Sequence, residues 1–355
     1  VNFSADSLRA VLEAHTPRGA TGFVVALSGG ADSACLLTAL KALSPGPCGD
    51  LPVRALHIDH GLQPAAGDFR AACEALCRRL RVPLTTVSVT VARAEGVSLE
   101  AAARDARYAG LERQLEAGEC LLTAHHALDQ AETVLLQLLR GAGLKGLAAM
   151  PQCRPWHCGW HLRPLLEVSQ HDLLEFGRDA GVVAVQDPMN LDQRFDRAYL
   201  RERLWPLIAA RWPGAALALS RSARHAAEAQ TLLDRSAERA LAPLRDGGSL
   251  SVAGLRSLGA AEQRNAVRYW IAEHAVPPPS TARLAEALRQ FGAADADHLP
   301  AVRWGEHALR RYGGRLFLTA AHPPCIGDSR EWAVTAEATL ELGGGLGRLQ
   351  WSPQA

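Results

Sequence analysis

The stretch Phe23-Val-Val-Ala-Leu-Ser-Gly-Gly-Ala-Asp-Ser33 constrains the fold more than any other: an apolar run breaks into a glycine-rich turn, and helical spacing resumes at Leu36, Leu37 and Leu40. A buried strand that hands the chain to a helix in this way leaves the helix's first N–H groups free beside the turn, where they favour an anion. Gly29 and Gly30 permit close backbone approach, and Ser28 and Ser33 add hydroxyl donors. The strand end Ala26 and Leu27, with Ser28, Gly29, Gly30, Asp32 and Ser33, is therefore a candidate phosphate-binding set. A carboxylate beside a phosphate cradle is repelled unless a divalent cation lies between them, so Asp32 reads as a magnesium ligand. No Gly-Lys-Ser/Thr closes the loop, which excludes a Walker A motif.

The same alternation continues along the chain. A short amphipathic helix is expected over residues 6–14, from Leu8, Val11 and Leu12, before the first strand. Val53 to Leu62 reads as a second buried strand whose polar end carries His57 and Asp59, and the C-terminal edge of such a sheet is where ligands bind. A helix over 68–80, a strand over 84–89 and a helix through Leu99–Tyr108 follow, the last placing Glu100, Arg104 and Arg107 on one face. Cys120–Ala124 reads as another strand, ending in His125-His-Ala-Leu-Asp-Gln-Ala-Glu-Thr133 and a helix through Leu139. The bunching of His125, Asp129 and Glu132 at a sheet edge marks a candidate site. Arg140–Leu147 reads as a flexible basic loop, and Trp160–Leu166 and Val182–Pro188 as further strand material. Together these elements predict an α/β chain with a doubly wound parallel sheet.

Beyond residue 205 the pattern changes. Trp and Pro punctuate 205–213 and the alternation stops, so the first domain is assigned to 1–205, a helical domain to 206–295 and a short α+β segment to 296–355. A formal net charge of +1 gives no overall sign of a nucleic-acid partner. The seven arginines between Arg194 and Arg224, set against Asp196 and Glu202, form a local basic patch. Eight cysteines without a Cys-x-x-Cys pair read as free or buried thiols in a reducing compartment. No apolar run approaches membrane-spanning length, which argues against membrane insertion and for a cytoplasmic chain.

Laid end to end, these motifs resemble the tRNA(Ile)-lysidine synthetases, a bacterial family of the N-type ATP pyrophosphatases. The resemblance is carried by Ser28–Ser33, His57-Ile-Asp-His-Gly-Leu62, Leu99-Glu with Arg104 and Arg107-Tyr108, and Thr123–Thr133. Arg140-Gly, Gly146-Leu147, Arg163-Pro-Leu-Leu166 and Asp187–Asn190 through Arg201 extend it across the first two hundred residues. It implies an adenine nucleotide alpha hydrolase-like fold and a ligase that forms a carbon–nitrogen bond. ATP adenylates the wobble cytidine of the CAU anticodon of tRNA(Ile), with Mg2+, and L-lysine then displaces AMP.

The resemblance also implies roles. Asp32, Arg104, Asp129 and Glu132 become the catalytic candidates, with Asp129 and Glu132 as acceptors of the lysine proton. Ala26 to Gly30, Asp32, Ser33, His57, Asp59 and His125 become the ATP set. Arg107, Arg140, Lys145, Asp192, Arg197 and Arg201 become tRNA contacts or linker anchors. Where the family commonly has a second acid or Asn, this chain has Leu128. The family also commonly ends in a further small domain, of which only the beginning is expected before Ala355. A tRNA cytidine thiolase is the nearest alternative, but it needs paired cysteines. Ligases such as the GMP and NAD synthetases share the loop without the His125–Thr133 pattern, and a non-catalytic ATP-binding module is at odds with an intact loop. A homodimer is left open.

Overall fold

The computed structural model describes residues 3–43, 46–59, 61, 66–91, 99–183, 185, 196–293, 300–322, 338–341 and 348–351. Asn190, Asp192, Arg194, Phe195, Cys325 and the Gly343–Gly345 turn lie outside them. The chain divides into two compact units, Val1–Gln230 and Thr231–Ala355.

In the first unit, α1 (Ala5–His15) starts where Ser4 accepts from the Ser7 N–H and Ser7 answers in a capping box, and it buries Leu8 and Leu12. Then come β1 (Gly22–Ala26), α2 (Ala31–Ala42), the single turn α3 (Pro47–Asp50), β2 (Val53–Asp59), α4 (Ala66–Leu80), β3 (Leu84–Ser88), α5 (Leu99–Gln114), β4 (Glu119–Leu122) and α6 (Ala127–Leu139). A helical turn, α7 (Leu144–Leu147), occupies part of the stretch read from sequence as a flexible loop. The hairpin β5 (Cys153–Trp156) and β6 (Gly159–Leu162) leads to α8 (Gln170–Asp179).

The six strands lie in the order β3-β2-β1-β4-β6-β5, parallel throughout except that β5 runs antiparallel to β6 at the edge. Pro155 is tolerated there because an edge strand need not donate every N–H. The order reverses at β1, whose neighbours are β2 on one side and β4 on the other. Ligands in such sheets bind outside the carboxyl ends of the strands at that reversal. Phe23, Val24 and Val25 are fully buried between the helical layers, as a central parallel strand requires.

A further sequence expectation changes after β6. Val182, Val183 and Val185 lie in no strand, and the Val185 N–H instead donates to the Gly29 carbonyl at 3.2 Å. Beyond these come α9 (Asp196–Tyr199), a π-helical turn over Leu200–Leu204, α10 (Trp205–Arg211) and α11 (Ala215–Leu241).

The second unit is α+β. Strands β7 (Arg245–Asp246) and β8 (Ser249–Ser251) precede α12 (Val252–Ser257), α13 (Ala260–Glu273) and α14 (Thr281–Ala293), and β9 (Ala301–Trp304), β10 (His307–Tyr312) and β11 (Arg315–Ala320) follow. They form one antiparallel sheet, β7-β8-β11-β10-β9. Trp270, Ile271, Leu284 and Phe291 from the helices share a core with Leu250, Leu309 and Leu316 from the strands. The stretch read as helical thus contributes two short strands to this sheet. A separate two-stranded ribbon joins β12 (Ala338–Glu341) to β13 (Arg348–Trp351). No helix among the described residues is long and apolar enough to cross a membrane.

Candidate active site

The glycine-rich turn emerges at the reversal point of the sheet. Gly29 has φ +87°, and a Cβ there would meet the Phe69 side chain at 2.9 Å and its carbonyl oxygen at 3.0 Å, so the position demands glycine. The loop is tied by its own hydroxyls: the Ser28 N–H donates to Ser33 Oγ at 3.1 Å, Ser28 Oγ lies 3.0 Å from Ser33 Oγ, and Ser33 Oγ donates to the Gly30 carbonyl. Gly30 caps α2 without a side chain, which leaves the helix's first N–H groups to a ligand.

His57, expected to touch ATP, is buried, and its Nδ1 lies 2.9 Å from the Leu27 carbonyl. It braces the loop and has almost no surface left for a ligand. Asp59 accepts from the Gly61 N–H at 2.9 Å at the end of β2.

The second wall of the crevice comes from the end of β4 and the start of α6. His126 caps α6: its Nδ1 accepts from the Leu128 N–H at 3.3 Å, and Asp129 Oδ2 accepts from the His126 N–H at 3.0 Å. The free edge, Nε2, lies 3.6 Å from both Asp32 Oδ2 and Asp129 Oδ2. Burial opposes a charge on this ring, but the Asp32 carboxylate and then Asp129 raise its pKa above the ordinary value. Sequence reasoning took the first histidine of the pair and missed this one. The available signal was the capping pattern, a polar residue followed three positions later by Asp at a helix start.

Asp32 itself holds a buried Oδ1 with no hydrogen-bond partner among the described residues. An orphaned carboxylate oxygen at the mouth of a phosphate loop fits a divalent cation, which supplies the missing charge.

Asp129 and Glu132 are not free. Glu132 is fully buried and accepts from Arg197 Nε at 2.7 Å and from Arg201 Nε at 2.5 Å. Both guanidiniums also reach Asp129 Oδ1, each at 3.0 Å through the second terminal nitrogen. Burial would raise the Asp129 pKa, yet His126, Arg197 and His125 overcome it and hold the group at about 2. Two acids on one face of α6 thus clamp two arginines one helical turn apart.

Beside the clamp, Arg104 is exposed and lies 5.0 Å over the Tyr108 ring, while Arg107 lies 5.5 Å from the same ring and has its pKa lowered by burial. His125 joins a buried group formed by Thr123, His161 and Arg163. Arg140 makes an exposed pair with Asp196 at 3.4 Å, and Lys145 is exposed on α7. Arg224 pairs with Glu167 at 3.4 Å, and Arg211 stacks on exposed Trp212. The arginine-rich stretch is therefore in part internal wiring. The seven described cysteines are free thiols.

A doubly wound sheet with this loop at its reversal point defines a PP-loop protein, and residues 4–208 match the family described as the PP-loop domain. Residues 250–317 match the TilS substrate binding domain. A tRNA(Ile)-lysidine synthase of Alkalilimnicola ehrlichii is 44% identical over 88% of this chain and 70% of its own length. One from Methylococcus capsulatus is 40% identical over 97% of this chain and 77% of its own. Among solved structures, a U34-tRNA thiolase from Methanococcus maripaludis aligns at 14% identity and a TM-score of 0.49, over 62% of this chain and 78% of that one. The chain belongs to the tRNA(Ile)-lysidine synthase family.

Proposed function

We infer that this chain is an ATP-dependent tRNA(Ile)-lysidine synthase, a carbon–nitrogen ligase. It couples lysine to the wobble cytidine of the CAU anticodon with release of pyrophosphate and AMP. The observation that carries the reading, beside family membership, is the meeting of phosphate loop and arginine clamp at one sheet edge, bridged by His126 between Asp32 and Asp129.

In the first step the cytosine carbonyl oxygen attacks the α-phosphorus of ATP, the bond to the β-phosphate oxygen breaks, and pyrophosphate leaves. The chain's part is to hold the β- and γ-phosphates on the free N–H groups of α2 and the Ser28 and Ser33 hydroxyls, stabilising the charge that grows on the leaving group. Asp32 would hold Mg2+, which supplies positive charge to the phosphates when bound. In the second step the neutral amine of lysine attacks the activated ring carbon, the carbon–oxygen bond to AMP breaks, and the proton released from the amine passes to solvent.

A carboxylate held at about 2, as Asp129 is, makes a weak proton acceptor, and both Glu132 oxygens are already engaged. The two acids are better suited to fixing Arg197 and Arg201, and Asp129 to attracting a cationic substrate, than to taking the amine's proton. Arg104, exposed over the Tyr108 ring, would meet substrate phosphate. The direct test is incubation with ATP, Mg2+, lysine and bacterial tRNA followed by nucleoside mass spectrometry. Lysidine is expected, and thiolated cytidine or an unmodified pool would overturn the reading.

A further inference from the structure

We propose that Arg163, His161 and Thr123 form a hydrogen-bond chain of fixed direction that holds His125 as a neutral imidazole with its proton on Nε2. His125 thereby presents a donor, and never a base, to an electron-rich substrate oxygen. The assignment of that oxygen rests on the synthase reading; the direction of the chain does not.

The direction follows from one end. Arg163 is 5% exposed and an arginine can only donate, so its terminal nitrogen 3.1 Å from His161 Nδ1 makes that atom an acceptor. His161, with no exposed surface, then carries its proton on Nε2 and gives it to Thr123 Oγ1 at 2.9 Å. Thr123 is buried too, and its second partner is His125 Nδ1 at 2.8 Å. If His125 also donated to the hydroxyl, the threonine hydrogen would have no acceptor among the described residues, and a buried donor left unsatisfied is destabilising. The arrangement that satisfies the hydroxyl and both bonded ring nitrogens sends the threonine hydrogen to His125 Nδ1 and leaves the His125 proton on Nε2; the buried Arg163 Nε, which has no partner among the described residues, takes no part in it.

The environment keeps both rings uncharged. Burial pushes His125 down to about 3, with Asp129 opposing and Arg163, Arg104 and Arg197 assisting. Burial pushes His161 down to about 2, assisted by Arg163, His125, Arg154 and Arg104. Arg163 is itself anchored, donating to the Pro151 carbonyl at 2.8 Å, and the rings of Tyr108 and Trp156 enclose His161. Among the described residues His125 Nε2 has no hydrogen-bond partner, and it stands at the end of β4 beside the crevice. A neutral imidazole aimed at a developing negative charge polarises it without presenting a proton-accepting nitrogen. Thr123, His161 and Arg163 act through His125 and are positioning residues.

The test is nitrogen NMR on the full chain labelled in histidine, without substrates, across neutral and mildly acidic pH, with His125→Gln assigning the signal. The expected spectrum shows His125 protonated at Nε2, bare at Nδ1 and not titrating. A proton on Nδ1, or titration near the ordinary histidine value, would overturn the proposal whether or not lysidine is ever made. In Thr123→Val the tautomer should lose its bias and tRNA-dependent pyrophosphate release should fall about 10- to 100-fold. Thr123→Ser should restore both, and an unchanged tautomer and rate in Thr123→Val would contradict the chain. For His125→Gln, a loss confined to the ATP KM assigns the oxygen to a phosphate, and one confined to the tRNA KM assigns it to the cytosine. No loss in KM or kcat would remove the donor role.

Discussion

The phosphate loop and the arginine clamp share one sheet edge but are built in opposite ways. The loop is made by consecutive residues that bond to one another, Ser28 to Ser33 and Ser33 to Gly30. The clamp joins residues 65 to 72 positions apart, Asp129 and Glu132 on one helix, Arg197 on α9 and Arg201 on the π-helical turn that follows it. A local device can fail chemically and leave the fold standing. A long-range device made of buried charge cannot, because each partner neutralises the others.

That contrast predicts the largest effect at Glu132. Replacing it with alanine leaves two guanidiniums with Asp129 alone, and should cost about 3–5 kcal/mol of stability, read as a lower denaturant midpoint. A stable variant would mean the clamp is ornamental to the fold. Asp32→Ala should do the reverse. Turnover should fall by roughly two to three orders of magnitude while the denaturation midpoint holds, and pyrophosphate release near the wild-type rate would remove Asp32 from the site.

Acid should separate the regions further. His125 and His161, held down to about 3 and about 2, take up protons in the unfolded chain near about 6.5 but not in the folded one. Stability should therefore fall as pH drops below about 6.5, by up to about 1.4 kcal/mol per pH unit for each ring. Asp129, held at about 2, contributes stability that persists above about 3.9 and is lost only as pH falls toward about 2. The raised pKa of His126 acts in the opposite sense, its share being whole below the ordinary value and fading as pH climbs through the folded one. Denaturation midpoints from neutral to mildly acidic pH check the sum. A midpoint that rose on acidification would contradict the neutral pair, and His161→Phe should flatten the slope.

The smallest effects are expected at the exposed cations. Arg140→Ala and Lys145→Ala should change stability by less than about 0.5 kcal/mol. If either touches tRNA phosphate, each loss should flatten the salt dependence of binding by about 0.7 to 0.9 in log–log slope. Unchanged slopes would confine the tRNA surface to other residues.

This division explains what could be read from the chain alone. The loop, its strand and its helix were legible because the signal is contiguous: an apolar run, two glycines, two serines and a misplaced-looking acid. The parallel sheet followed from repetition of the same pattern. The clamp was not legible, because nothing in the spacing of Arg197 and Arg201 tells a nucleic-acid contact from a partner for acids far upstream. His126 was hidden for the same reason, since its meaning depends on Asp32, which only folding brings within 3.6 Å. His161 and Arg163 read as strand material, Arg163 also as part of the resemblance, and their direction of donation exists only once Thr123 stands between two rings. In the second unit, β7 and β8 are too short, at two and three residues, to leave a period in the sequence.

On the proposed function, this edge would activate the tRNA before lysine enters. The most direct measurement withholds lysine: the full chain is incubated with α-labelled ATP, Mg2+ and tRNA(Ile), and label is followed on the tRNA alongside pyrophosphate. AMP attached to tRNA is expected, with one pyrophosphate released for each, and that AMP should be released when lysine is added. Pyrophosphate release that requires lysine, with no AMP ever trapped on tRNA, would contradict it.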